Sequence, residues 1–364
     1  MLRLATNYLK PGMIIARNIY NANGTKLLAA DTALDRRLIL KIKKLGIDSV
    51  YIRHPFLDIE PQEILHEKTR VEAIREIQKT FELFRLKKVV DLSTISEVVV
   101  KIIEDSMDNR NFLIHLSDIR IHDDYTFGHS INVCLLSVML GIKLNFREGQ
   151  LFELAMGAIL HDLGKMMIPQ EILNKPGSLT PEEWTEMRQH TDKGFDILRR
   201  DYSMPLVSAH VAYQHHESYD GAGYARGLRG EEIHLFARIV AIADLYDAIT
   251  ADRPYREAML PHEAYEIMLG SRGTKLDPEF TDVFLESVAI YPVGSTVLLD
   301  TGEIAIVVNT FPKLQSRPTV RVVIDERGKV MEGEGKIIDL AVNLTRFITK
   351  VFKAEEVLEV AKQN

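Results

Sequence analysis

The sequence predicts a mainly α-helical fold with a small β-rich module at each end. Between residues 119 and 289, apolar residues recur at helical spacing, most clearly from Leu151 to Ile159. Near both ends, short apolar runs flank the turn pairs Asn23-Gly24 and Thr301-Gly302, which are typical of β-hairpins. We therefore expect one helical block that carries the chemistry and two small β modules around it.

The pattern divides the chain into four predicted segments. A β-rich module covers residues 1–57, and a charged, periodic helical connector covers residues 58–118. The helical block covers residues 119–289, and a β module with a helical tail from Ala354 covers residues 290–364. The terminal modules contain no catalytic cluster, and His54 is expected at the surface. We expect ordinary small cores there, with contact to a protein partner or a second copy of the chain as the alternative.

The composition excludes several classes of protein and of metal site. A net charge of −7 over 364 residues argues against a general binder of large nucleic acids. The single cysteine, Cys134, allows no internal disulfide and excludes a thiolate metal site. No apolar run reaches the roughly 18 residues that span a bilayer, and Met1 to Asn7 contain no signal-peptide core. We expect a cytoplasmic protein that does not insert into membranes.

The stretch from Ala158 to Lys165 is the most informative part of the helical block. It is predicted to be the end of a buried helix, with Gly164 placed to stop the helix. His161 and Asp162 fall at this apolar terminus, where burying an imidazole beside a carboxylate is costly without a partner. A divalent transition metal is the usual partner for this pair of donors. The dipeptide alone would fit an ordinary ion pair, so the interpretation depends on the surrounding motifs.

Further histidines and acids occur at positions that could complete a metal site. His129 opens an apolar helix, and His190 lies on a helix that begins near Thr180-Pro181. Asp244 lies in a helix otherwise too apolar to carry a charge, with Asp247 as a supporting partner. Taken singly, each has an ordinary structural explanation. Together, seven donors suffice for two metals if Asp162 bridges them: His129, His161, Asp162, His190, His215, His216 and Asp244.

These motifs make the block resemble the HD-GYP family, a branch of the HD phosphohydrolase superfamily. The matching segments are His161 to Lys165, Ile172 to Gly177, His215 to Tyr224, Asp244 to Thr250 and Arg253 to Arg256. The resemblance extends over residues 120–285, just under half of the chain. It implies an all-helical metal phosphohydrolase domain with two divalent ions, iron or manganese.

The resemblance also implies a role for each matching position. One metal would be held by His129, His161, Asp162 and Asp244, and the second by Asp162, His190, His215 and His216. Lys165 would contact the scissile phosphate, and Asp162 and Lys165 would be the catalytic residues. Arg253 and Arg256 match basic residues that hold the dinucleotide substrate. Guanidinium groups suit that role because they bind phosphate in a bidentate manner.

Two positions depart from the family pattern. Ala225 follows Tyr224 where the family has proline, which should loosen this loop and leaves substrate choice open. Tyr125 stands where members with a third metal carry a glutamate, which favours a two-metal site.

The expected reaction is hydrolysis of a cyclic dinucleotide, cyclic di-GMP, to linear pGpG by a metal-activated hydroxide. Whether hydrolysis continues to GMP is left open by the sequence. One alternative is a phosphohydrolase that acts on another nucleotide or dinucleotide. Another is a non-catalytic sensor that binds a cyclic dinucleotide and signals through its β modules, but such sensors usually lose metal ligands. Here all seven positions are filled.

Overall fold

The computed structural model describes residues 1–20, 25–47, 49–56, 64–87, 89–110, 113–114, 125–251, 258–331 and 335–363. Outside these residues lie the predicted Asn23-Gly24 turn, the predicted substrate-binding residues Arg253 and Arg256, and the histidines His115 and His122, for which no role is predicted. The helices are α1 (Arg36–Lys44), α2 (Glu67–Lys87), α3 (Leu92–Asp108), α4 (Tyr125–Lys143), α5 (Glu148–Leu160), α6 (Gln170–Leu173), α7 (Pro181–Arg188), α8 (His190–Leu198), α9 (Leu206–Gln214), α10 (Leu235–Thr250), α11 (Pro261–Gly270), α12 (Pro278–Ser287) and α13 (Ala354–Gln363). The mainly helical fold is confirmed.

The strands lie near the two ends of the chain. They are β1 (Leu2–Ala5), β2 (Ile19–Tyr20), β3 (Lys26–Leu28), β4 (Ser49–Ile52), β5 (Thr296–Leu299), β6 (Ile304–Asn309), β7 (Thr319–Ile324), β8 (Ile337–Asp339) and β9 (Ile348–Val351). β1 pairs with β4 and β2 with β3, each antiparallel. β5 to β9 form one antiparallel sheet in the order β8-β7-β6-β5-β9.

The main hydrophobic core lies among the helices. Leu151, Leu154 and Ile159 of α5 are buried, as their spacing predicts. α4 packs along α5, and α10 packs on α4, so the core joins elements more than 100 residues apart in the chain. α2 and α3 contribute to the same core through residues such as Phe81 and Ile102. Cys134 of α4 is also buried in it, as expected of a small apolar side chain.

The two ends of the chain meet in a second core. Val357 of α13 is buried with Leu2 and Leu4 of β1 in one apolar cluster. The expectation of a surface position for His54 is wrong, because its side chain is only 6% exposed. Its Nε2 lies 2.9 Å from Thr296 Oγ1, and its Nδ1 accepts a hydrogen bond from the Phe56 N–H. The segment after β4 therefore binds directly to the start of the C-terminal sheet.

Across the described ranges, we find no helix that is both long and apolar enough to cross a membrane.

Candidate metal centre

The seven predicted donors come from five helices that pack around one point. His129 lies on α4, His161 and Asp162 directly follow α5, and His190 is the first residue of α8. Asp244 lies on α10. His215 and His216 directly follow α9. The side chains form two groups, within each of which the donor atoms lie within 4.8 Å of one another: Asp162, His190, His215 and His216 in one, and His129, His161 and Asp244 in the other.

A close approach of backbones brings α8 to this point. Gly164 lies in a 3₁₀ helix, Leu163–Met167, and not at the end of α5, so its predicted role as a helix stop is wrong. A Cβ atom on Gly164 would lie 1.9 Å from the carbonyl oxygen of His190 and 2.6 Å from the amide nitrogen of Gly194. Only glycine allows the segment after α5 to approach α8 this closely. The requirement for glycine at position 164 is therefore explained by close packing against the segment that carries His190.

Asp162 lies between the two groups of donors. Its Oδ2 is 3.3 Å from His161 Nε2 and 3.7 Å from His129 Nε2. Its Oδ1 is 3.5 Å from His190 Nε2 and 3.7 Å from His215 Nε2. Each carboxylate oxygen thus faces a different pair of imidazoles. This arrangement suits a bridging carboxylate.

The buried histidines are oriented through their Nδ1 atoms. His161 Nδ1 lies 2.7 Å from the Ala158 carbonyl, His190 Nδ1 lies 2.7 Å from the Met187 carbonyl, and His215 Nδ1 lies 3.1 Å from those of Val211 and Ala212. Because carbonyl oxygens only accept, each Nδ1 carries the proton and donates. The Nε2 lone pairs then point at Asp162 and at each other, as metal-ligating imidazoles do.

Burial and charge set the protonation of these groups. Burial lowers the pKa of His190 to about 3 and also lowers the pKa values of His215 and His216, so these imidazoles are neutral near pH 7. Burial likewise opposes protonation of His129, but Asp244 and Asp247 outweigh it and raise its pKa to about 10. The two carboxylates thus attract positive charge to that corner of the site. Neutral nitrogens beside ionised carboxylates are the state in which a divalent cation binds.

Two buried atoms at the centre lack hydrogen-bond partners. Among the described residues, none satisfies His161 Nε2 or Asp162 Oδ1. In addition, His190 Nε2 and His215 Nε2 face each other at 3.5 Å, and both offer lone pairs when their Nδ1 atoms donate. Buried polar atoms without partners are costly. The donor set therefore fits divalent metal ions, which would accept all of these lone pairs at once.

Lys165 points into the same site. Its ammonium lies 2.5 Å from Asp162 Oδ2, and its side chain remains 26% exposed. It is therefore within reach both of the bridging position and of a ligand arriving from solvent. Arg253 and Arg256, the predicted substrate-binding residues, lie outside the described residues, so their part stays a prediction.

Asp247 and Asn132 support His129 from behind. Asp247 Oδ2 lies 2.7 Å from His129 Nδ1, and Asn132 donates to Asp247 Oδ1 at 2.8 Å. The supporting role predicted for Asp247 matches this geometry. Asn132 was missed by sequence reasoning. Its position three residues after His129, one turn along the same helix, was the available signal.

Glu217 was also missed, although it directly follows the two adjacent histidines. Its carboxylate is 4% exposed and accepts the backbone N–H groups of Arg226 at 2.7 Å and Leu228 at 3.0 Å. The Tyr224 ring packs on the His216 ring with a centroid distance of 4.8 Å. Contacts therefore hold the loop on both sides of Ala225: the Tyr224 ring packs on His216 before it, and the Arg226 and Leu228 N–H groups bind Glu217 after it. These contacts limit the loosening that alanine was expected to cause.

Comparisons with known proteins relate the chain to described domain families and to named relatives. A family model described as an HD domain matches residues 110–280, and one described as a KOW domain associated with the HD domain matches residues 296–359. A cyclic di-GMP phosphodiesterase of Pseudomonas aeruginosa is 36% identical over 68% of this chain and 59% of its own length. A cyclic di-GMP phosphodiesterase of Thermotoga maritima is 32% identical over 76% of this chain and 75% of its own. A 3′3′-cGAMP-specific phosphodiesterase of Vibrio cholerae is 37% identical over 48% of this chain and 38% of its own.

Proposed function

The chain belongs to the HD-GYP branch of the HD domain family, and on that premise we propose that it is a metal-dependent cyclic dinucleotide phosphodiesterase. Its proposed substrate is cyclic di-GMP, and its proposed product is linear pGpG. The observation that carries the proposal is the position of Asp162, whose two oxygens face two separate pairs of imidazoles. The proposed cofactors are two divalent ions, iron or manganese, because both accept imidazole and carboxylate ligands.

The proposed ligands divide as the two groups of donor atoms do. His129, His161 and Asp244 would hold one ion, and His190, His215 and His216 the other, with Asp162 shared. Bound ions of this kind neutralise phosphate charge and lower the pKa of water, so that hydroxide becomes available near neutral pH. The protein's own part is to orient His161, His190 and His215 through their Nδ1 hydrogen bonds, while burial keeps His190, His215 and His216 neutral. Burial of the centre also strengthens its electrostatic interactions.

Lys165 is proposed to act on the substrate directly. Its mobile, partly exposed ammonium is 2.5 Å from Asp162 and can turn to a non-bridging phosphate oxygen. Removal of one such electrostatic donor typically lowers kcat by about 100- to 1,000-fold. We expect a loss of that size for Lys165→Ala. Lys101→Ala is the matched control, because Lys101 of α3 forms a 2.6 Å ion pair with Glu72 of α2, and neither helix carries one of the seven predicted donors. Equal activity of the two variants would remove Lys165 from the mechanism.

Product analysis distinguishes between the possible substrates. The metal-loaded protein is incubated separately with cyclic di-GMP, 3′3′-cGAMP and pGpG, and kcat/KM is measured for each. We expect cyclic di-GMP to give the highest value and pGpG to accumulate. The Vibrio cholerae relative, which is specific for 3′3′-cGAMP, makes that dinucleotide the second candidate. A higher kcat/KM for 3′3′-cGAMP would transfer the assignment to it, and no turnover of any of the three would refute the phosphodiesterase proposal.

A further inference from the structure

One face of α7 is exposed beside the metal centre. The residues Pro181, Trp184, Thr185 and Arg188 recur at i, i+3, i+4 and i+7, and they line an open groove of about 360 Å³. No residue of α7 is buried, and Trp184 is 48% exposed. Trp184 is also the only tryptophan of the chain. An exposed aromatic ring in a groove is a common feature of binding sites, because it offers a flat surface for stacking.

Arg188 connects this groove to the metal centre. Its guanidinium carbon lies 5.1 Å from the centre of the Tyr224 ring, and that ring packs on the ring of His216. Two acidic residues of α7 form ion pairs with lysines: Glu183 pairs with Lys175, and Glu186 pairs with Lys193. Within the part of the chain that the structure describes, no carboxylate pairs with Arg188. Its N–H donors thus remain available to a ligand in the groove.

The groove is also fixed relative to the metal centre. His190 donates from Nδ1 to the carbonyl of Met187, the residue before Arg188. At the other end of α7, Thr180 and Glu183 form a reciprocal cap, which holds the start of the helix. A ligand that contacts both the α7 groove and the metal centre would therefore bind to a preformed surface.

We propose that the Trp184–Arg188 groove is the subsite for one guanine base of the cyclic dinucleotide, an inference that rests on the proposed function. A phosphate at the metal centre places the two bases of such a ligand on either side of it. The indole of Trp184 stacks on the base, as aromatic side chains do on bases of nucleic acids. The guanidinium of Arg188 donates to O6 and N7 of guanine, whereas adenine presents an amino donor at that edge and is disfavoured.

The single tryptophan makes this subsite directly measurable. A non-hydrolysable phosphorothioate analogue of cyclic di-GMP is titrated into the metal-loaded full chain while tryptophan fluorescence is recorded. We expect saturable quenching, because stacking brings the base onto the indole. The same titration with the cyclic di-AMP analogue is expected to give weaker binding. Arg188→Ala should reduce this preference for the guanine ligand.

Calorimetric affinities of variants complete the test. Trp184→Ala and Arg188→Ala should each raise the Kd about 5- to 100-fold, the range that loss of one stacked base gives. Trp184→Phe should recover most of the affinity. Tyr202→Ala and Arg199→Ala are the controls: Tyr202 is fully exposed, and Arg199 lies over the Phe195 ring at 5.4 Å. Both controls should bind as the unsubstituted chain does.

Two further results would overturn the subsite. If the analogue binds by calorimetry without a change in fluorescence, and Arg188→Ala retains full affinity, the groove is not the base site and the proposed function stands. If cyclic di-GMP is neither bound nor hydrolysed by the unsubstituted chain, the proposed function fails and the guanine subsite fails with it.

Discussion

His129 shows how a single residue of the site depends on its neighbours. Its Nε2 lies 3.2 Å from Asp244, while its Nδ1 is held by Asp247, which in turn is held by Asn132. A carboxylate behind a ligating imidazole fixes the ring and raises its basicity. Asp247 is 2% exposed, so its charge acts in a poorly screened environment.

Substitution of Asp247 by asparagine tests this support. The variant retains the size of the side chain and removes its charge, so we expect metal affinity to fall about 10- to 100-fold. Metal titration monitored by calorimetry provides the measurement. Asp282→Asn is the control, because Asp282 is exposed and pairs with Arg272, which is equally exposed. Unchanged metal affinity in Asp247→Asn would show that His129 does not depend on this carboxylate.

At the scale of elements, the site depends on contact between the segment after α5 and the start of α8. The sequence predicts one helix running from Thr180-Pro181 through His190, but the structure divides it into α7 and α8 at Gln189. No glycine or proline marks the break, so local sequence patterns cannot reveal it. The break coincides with a tertiary contact. His190 Nε2 faces Asp162 Oδ1 at 3.5 Å, whereas no residue of α7 is buried.

The contact at Gly164 gives a prediction about this pairing of elements. A methyl group at Gly164 would collide with the backbone of His190, so Gly164→Ala should destabilise the protein by about 1–3 kcal/mol and weaken metal binding. Gly149→Ala is the matched control, because a Cβ there meets no atom within 4 Å. In helix α5 that change should stabilise by about 0.5–1 kcal/mol. Urea unfolding measures both variants, and equal effects would contradict the proposed close packing.

For the whole molecule, the two ends of the chain are predicted as separate modules, yet they share apolar contacts. Val357 of α13 lies in the cluster formed by β1, and His54 contacts Thr296. Contacts between residues more than 200 positions apart leave no periodic pattern in the sequence. This is why the burial of His54 could not be predicted, whereas the strands and the helical tail at Ala354 could.

His54 makes stability depend on pH. Burial lowers its pKa to about 3, while the unfolded chain has the ordinary value of about 6.5. Between these values the unfolded state binds more protons, so the free energy of unfolding falls as pH falls, by at most about 1.4 kcal/mol per pH unit. Denaturant unfolding at pH 7.5 and 5.0 should show a smaller loss for His54→Gln than for the unsubstituted chain. Equal losses of unfolding free energy in the variant and in the unsubstituted chain would contradict this. His66→Gln, at an exposed histidine, serves as control.

The donor residues could be identified from the sequence because they are polar or ionisable groups in unusual positions. Adjacent imidazoles and carboxylates in apolar helices are costly without a partner, so His215, His216 and Asp244 stand out individually. Their convergence could be inferred only through the resemblance to a known family. Glu217 and Asn132 lie close to predicted donors in the sequence, but the sequence does not show which groups they contact. Only the folded backbone shows what they hold.

Metal content tests the position of Asp162 most directly. The chain and its Asp162→Ala variant are purified under anaerobic conditions, loaded with Mn²⁺ and analysed for bound ions per chain, with circular dichroism to confirm folding. We predict about two ions per chain for the unsubstituted protein and loss of both in the folded variant, because Asp162 faces both groups of imidazoles. A folded Asp162→Ala protein that keeps two ions with unchanged affinity would contradict the bridging role, as would an unsubstituted chain that binds none.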